Sequence, residues 1–271
     1  MMKSFAKHFR VLRVARLAAT LLAYCLGNMP AVAAGIRTVH VFVALADNQH
    51  QGIVPVPARL GNGQDAAANL YWGAAYGVKS YFKSSADWKL ISCQPAPRAP
   101  ILERCIFHQP SSETYLVADA YDGARIRDAI VDFLSSSAGV REESVCVGSA
   151  TNKSISIAGK ADLVVYVGHD ALMDFQVPKI TGNPGSSPRK FIILACASRP
   201  YFRSYMQSTG SEPLLWTTGL MAPEAYSLKA ALEGWIAGEN AQLIQERAAR
   251  AYDKYQKCGL RAAQRLFVST W

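Results

Sequence analysis

Two stretches decide how this chain reads: Leu163-Val164-Val165-Tyr166-Val167-Gly168-His169 and Phe191-Ile192-Ile193-Leu194-Ala195-Cys196. Short unbroken Val/Ile/Leu runs bounded by turn residues are the pattern of strands buried on both faces, as in a parallel sheet covered by helices. In such sheets ligands and chemistry gather at the carboxyl ends of the strands, which is where each run delivers one reactive side chain.

Working outward, Thr38 to Leu45 is a third buried run, ending near Asp47, Asn48 and His50. Thr114 to Ala118 ends at Asp119 and Asp122, and Leu214 to Thr218 ends at Thr217 and Thr218. Ala66 to Tyr81 has helical spacing of Leu70, Ala74 and Val78, weakened by Gly73 and Gly77. Helices are also predicted over Ala124 to Leu134, after Pro223, and from Asn240 to Lys257. Gly52 to Gly63 reads as irregular, and the turn-rich Thr181 to Pro188 as a flexible loop. Strand and helix alternate, so the expected fold is α/β, a three-layer sandwich around a mostly parallel sheet.

The amino-terminal segment differs in kind. Five basic residues without an acid precede an apolar run from Leu17 to Leu26, and Ala31-Val32-Ala33-Ala34 follows. That layout is a secretory signal peptide over residues 1–34, with residues 35–271 as one domain of an exported, periplasmic or secreted protein. No apolar run reaches transmembrane length, so no stable membrane insertion is expected after cleavage. The leader holds five of the 29 basic residues and none of the 20 acidic ones, which lowers the formal charge from +9 to +4. A nucleic-acid partner loses its main support with that correction. Oligomeric state is not legible.

Export favours disulfides. Residues 35–271 hold Cys93, Cys105, Cys146, Cys196 and Cys258, an odd number that leaves one thiol over. Cys93 and Cys105 flank a Pro-rich turn between two strand-like runs, Trp88 to Cys93 and Ile101 to Phe107, and are expected to form a hairpin disulfide. Cys146 with Cys258 follows by elimination, leaving Cys196 free.

An apolar strand ending in His, followed by one ending in Ala-Cys, resembles the caspase-like cysteine peptidases, the group of caspases, legumains, clostripain and gingipains. The resemblance covers Ala161 to Leu220 and implies a caspase-like sandwich with Cys196 as nucleophile and His169 as general acid/base. Backbone amides of Gly168, Asp170 and Cys196 are the expected oxyanion donors. The implied activity is that of an exported cysteine hydrolase, a peptidase acting on peptide or protein substrate without a cofactor. One position departs from the pattern. Asp170 stands where the family has Gly, and its side chain would crowd the site or add negative charge.

That departure favours a rival reading, a non-catalytic exported binding domain on the same scaffold, using the strand-end rim. Asp47, His50, Asp119, Asp122, Thr217 and Thr218 are the candidate binding residues there. His169 with Asp170 and Asp174, or His50 with Asp47, have metal-ligating side chains, but their spacing matches no ligand pattern and no metal is expected. Neither a Gly-x-Ser-x-Gly elbow nor a phosphate-binding Gly-rich loop is present, which disfavours serine-hydrolase and nucleotide-dependent activities.

Overall fold

The apolar runs become the central strands of a mixed sheet. The computed structural model describes residues 35–147, 153–182 and 188–271. The leader, residues 1–34, and the tip of the Thr181 to Pro188 loop lie outside the described residues. In chain order the strands are β1 (Arg37–Ala44), β2 (Lys89–Arg98), β3 (Ile101–Gln109), β4 (Thr114–Tyr121), β5 (Glu142–Cys146), β6 (Ser154–Ala158), β7 (Leu163–Val167), β8 (Lys190–Leu194), β9 (Glu212–Thr217) and β10 (Phe267–Val268). Among the described residues eight of them form one sheet in the order β10-β9-β8-β7-β1-β4-β3-β2, and β5 pairs with β6 separately.

The middle of the large sheet is parallel, from β9 through β8, β7 and β1 to β4. Both margins are antiparallel, β3 and β2 on one side and β10 on the other. The chain is therefore an α/β sandwich around a mixed, mostly parallel sheet. β4 and β7 lie on opposite sides of β1, so the connections diverge there and open a crevice beyond the strand ends.

Alternate residues of the central strands feed two separate cores, as the two-residue repeat of a strand requires. Val39, Val41, Val43, Val165 and Leu194 pack against α1 (Val78–Lys83), α4 (Ala225–Ile236), α5 (Ala241–Gln256) and α6 (Leu260–Leu266). Phe42, Ala44, Val164, Tyr166 and Ile193 pack against α2 (Ile126–Ser137) and α3 (Ser198–Thr209). On that second face the β5–β6 hairpin covers Ile106, Tyr115 and Val117 with Val147, Ile155 and Ile157. Residues Ile36–Trp271 make one compact unit, and no described helix is long and apolar enough to cross a membrane.

Two expectations about local structure change. The segment from Ala66 to Tyr81 is a series of tight turns, and helix begins only at Val78. A Cβ on Gly73 would lie 2.1 Å from the Ala67 carbonyl oxygen, and one on Gly77 2.5 Å from the Trp72 backbone. These glycines serve close backbone approach within the turns, which overrides the apolar spacing around them. The polar stretch from Arg141 to Lys160 contains β5 and β6, whose outward positions are exposed.

A candidate functional site at the strand ends

Beyond β7 the chain turns at Gly168, where φ is +152°. A Cβ at this position would sit 2.9 Å from the Ala44 carbonyl oxygen, so the turn takes glycine and lets β7 close against β1. The Gly168 amide donates to Leu194 O at 3.2 Å, which commits it to the neighbouring strand rather than to a ligand. His169 follows, nearly buried, with its carbonyl oxygen accepting from the Tyr166 hydroxyl at 2.8 Å. Its ring Nε2 lies 2.7 Å from Asp174 Oδ2. A carboxylate there holds the proton on Nε2, which leaves Nδ1 of the neutral ring as an acceptor with no partner among the described residues.

Asp170 does not face a reacting group. Its Oδ1 caps the short turn Ala171–Met173 by accepting from Leu172 N at 3.1 Å, while Oδ2 is buried without a partner. Burial, with a smaller contribution from the charge of Asp174, pushes its carboxyl up to about 8. At neutral pH the position is thus mostly an uncharged acid.

Cys196 sits beyond β8, before Ala197 in the left-handed region at φ +44°. Its thiol donates to Met221 O at 3.4 Å, and Sγ accepts from Met221 N at the same distance. Burial pushes this thiol up, against the backbone hydrogen bond, and the Asp170 charge adds to the rise. A reactive cysteine needs the opposite environment.

The cysteine-hydrolase reading is therefore corrected. Cys93 and Cys105 are joined in a disulfide and hold no nucleophilic thiol. Cys196 is free, but its thiol is shifted away from the thiolate. Among the described residues no hydrogen bond joins Cys196 to His169, whose Nε2 belongs to Asp174. Peptidase and hydrolase chemistry is withdrawn on these grounds. The disulfide is the pairing expected from the hairpin, whereas Cys146 and Cys258 are both free and exposed, so the pairing by elimination is also withdrawn.

The other strand-end residues separate into four environments. Asp119 is fully buried and points away from the rim: Arg104 donates Nε to Oδ1 and an Nη to Oδ2, each at 2.6 Å, and His40 Nε2 lies 3.0 Å from Oδ2. Thr217 is buried in hydrogen bonds with Ser198 and Ala195 O, and the Thr218 hydroxyl donates to Arg265 O at 2.7 Å. Asp122 caps the turn into α2 by accepting from Ala124 N at 2.9 Å. Asp47 and His50 pair with each other in a separate polar cavity.

His169 and Cys196 do share one cavity, of about 410 Å³. Its remaining wall includes Ile53, Val54 and Val56 from the loop after β1, Leu70 and Tyr71, Leu220 to Pro223, and Tyr252 on α5, segments expected from sequence only as irregular chain or helix. Among the described residues, none of those lining the cavity is Asp, Glu, Lys or Arg. Val54 is 82% exposed and Leu220 74% exposed at the rim, an unusual placement for large apolar side chains unless something covers them. The signal available in sequence was Ile53-Val54 inside a polar loop, an apolar pair without strand periodicity.

As to metals, the described residues bring together one set of possible ligands, Cys93, Glu103 and Cys105. The disulfide spends both sulfurs, and Glu103 accepts from Trp72 Nε1 and Lys79 Nζ, so this set does not fit a resident ion. Compared with known proteins, the chain matches no family model, no curated protein and no solved structure.

Proposed function

We propose that the strand-end cleft is a recognition site for an uncharged apolar side chain presented by a peptide or protein partner. The observation that carries this reading is the lining itself: a 410 Å³ cavity without a charged side chain, bordered by exposed Val54 and Leu220. Its volume falls within the range of small-ligand pockets, and burying one aliphatic side chain contributes about 1.5–3 kcal/mol. His169 adds direction. With Nε2 given to Asp174, Nδ1 can accept the N–H of the residue whose side chain enters the cleft. Asp170, next to it in the chain, is mostly uncharged at neutral pH and adds no buried anion there.

We also infer that the scaffold is of caspase-like type, used here for binding. That inference is supported by the order of the two polar strand ends, His169 after β7 and Cys196 after the adjacent parallel β8. Export is our reading of the leader, and the Cys93–Cys105 disulfide is in keeping with it.

The test is an NMR titration with N-acetyl amides of leucine, phenylalanine, lysine and glutamate. Saturable shifts at Tyr71, His169 and Leu220 are expected for the first two alone. Leu220→Asp should weaken them by about tenfold. Equal or stronger shifts from the lysine or glutamate amides would refute an apolar site, as would unchanged affinity in Leu220→Asp.

A further inference from the structure

The loop that walls the cleft has a second, polar side. After β1 the chain buries Asp47, whose Oδ1 accepts from Gln49 N at 2.8 Å and His50 N at 3.1 Å, and whose Oδ2 lies 2.9 Å from His50 Nδ1. Three donors converge on one carboxylate. The proton of the neutral His50 ring is thereby fixed on Nδ1, and Nε2 becomes an oriented acceptor on a half-exposed side chain. Glycines press the loop onto this pair: a Cβ on Gly63 would lie 2.3 Å from Asp47 Oδ2, and one on Gly61 2.4 Å from Asn48 Oδ1.

His50 borders a cavity of about 460 Å³ whose other functional side chains are the Asp47 carboxylate and the amides of Asn48, Gln49, Asn62 and Gln64. Asn48 is spent on the loop itself, bonding Val56 through both ends of its amide. Asn62 accepts from Gln64 N through Oδ1 and keeps its amide hydrogens free among the described residues. Gln64 donates Nε2 to Asp122 Oδ2 at 3.4 Å and retains Oε1 as an acceptor. Gln49 has neither end of its side-chain amide engaged among the described residues.

Apart from the Asp47 carboxylate, this is a set of neutral donors and acceptors with one oriented imidazole. Among the described residues no Lys or Arg lines the cavity to attract an anion, and the Asp47 carboxylate is already met by three donors. A divalent ion would find one imidazole nitrogen and no second strong ligand, and the described residues place no trio of metal-ligating side chains here. Hydroxyl groups match such a lining, since each both donates and accepts. We propose that this cavity is a second binding site, independent of the apolar cleft, for an uncharged hydroxyl-rich ligand of the saccharide class, with His50 Nε2 accepting from a ligand hydroxyl.

The experiment titrates the full protein with glucose, galactose, mannose and N-acetylglucosamine, following His50 ring and Asn62 side-chain resonances. At least one of the four should give a saturable shift. His50→Phe, which removes the acceptor at a half-exposed position, should weaken it by about tenfold, and His50→Gln, which restores an acceptor, should recover part of the loss. Asp47→Asn should also weaken it, read only if thermal unfolding shows the variant folded. Leu220→Asp should leave it unchanged, which separates this site from the apolar cleft. No saturable shift with any of the four, an equal response to glycerol, full affinity in His50→Phe, or saturation by zinc or phosphate instead would overturn the proposal.

Discussion

Asp119 and Asp170 are both fully buried aspartates near the carboxyl edge of the same sheet, yet they carry opposite charge states. Asp119 also pays for desolvation, but the Arg104 guanidinium and then the His40 imidazole bring it down to about 2. Asp170 has one backbone donor and no cation, and burial lifts it to about 8. Depth is the same in the two places. What differs is the partner, and the partner decides whether the buried carboxyl is an ion in a clamp or an uncharged acid.

Around Asp119 the clamp extends beyond one pair. Arg104 also donates to Glu143 on β5 at 2.6 Å, and Arg141 joins Glu143 to Asp132 on α2. His40 adds a second tie, because Nδ1 accepts from Ala158 N on β6 at 3.1 Å, which leaves its Nε2 proton for Asp119. The small hairpin is thus fastened to the large sheet by charge as well as by Ile155 and Ile157. Around Asp170 the described residues form no such lattice.

Breaking the clamp should have the largest effect. Arg104→Met leaves Asp119 buried with only His40 beside it and is expected to cost about 3–5 kcal/mol in urea unfolding. Its acid profile carries the sign of the pairing. Because Asp119 is held below its ordinary value of 3.8, its contribution in the native protein is complete above that pH and is lost as pH falls toward 2. In Arg104→Met the acid loss should begin at higher pH. An unchanged acid limb would show that the pair is not the source.

Removing the unpaired acid should act in the opposite direction. The folded state holds the Asp170 proton to about 8 whereas the unfolded chain releases it near 3.8, so stability is complete below 3.8 and is lost as pH rises through 8. Asp170→Asn keeps an oxygen for the Leu172 amide and has no proton to lose. It should match the native protein near pH 4 and exceed it at pH 8 by about 2–5 kcal/mol. A variant no more stable at pH 8 than at pH 4, relative to the native protein, would break the contrast between the two aspartates.

The smallest effect concerns Cys196. Iodoacetamide should modify the exposed Cys146 and Cys258 before Cys196, whose thiol is raised by burial and by the Asp170 charge. At pH 9 Asp170→Asn should speed modification of Cys196, read by peptide mass mapping, because the repelling carboxylate is gone. Fast labelling of Cys196 in the native protein at pH 7 would contradict the environment described for it.

Much of the scaffold was legible residue by residue. Val164 to Val167 and Phe191 to Leu194 are strands because β-branched and apolar side chains fill both faces, and Cys93 faces Cys105 because the Pro-rich turn folds their strands together. The hairpin β5–β6 was not legible, since Glu142, Ser144 and Cys146 face out and its apolar positions are few. Helix α3 carries Arg199, Arg203 and Gln207 on its outer side and buries little beyond Phe202 and Met206, which hid its periodicity in polar sequence. The cleft was hidden for a different reason. Its walls come from loops after β1 and β9 and from α5, and no local pattern records that they meet.

The buried strands, their polar ends and the hairpin disulfide could be read from the chain alone, because each depends on side chains a few residues apart or on turn chemistry. The chemical state of those ends came from tertiary packing. The ionisation of Asp119 depends on Arg104 and His40, and that of Asp170 on the absence of any such partner. Proton positions on His50 and His169 follow from carboxylates the fold brings into contact, and the thiol of Cys196 from how deeply it is buried. Charge state is a property of surroundings, and the surroundings of these residues exist only once distant segments have packed.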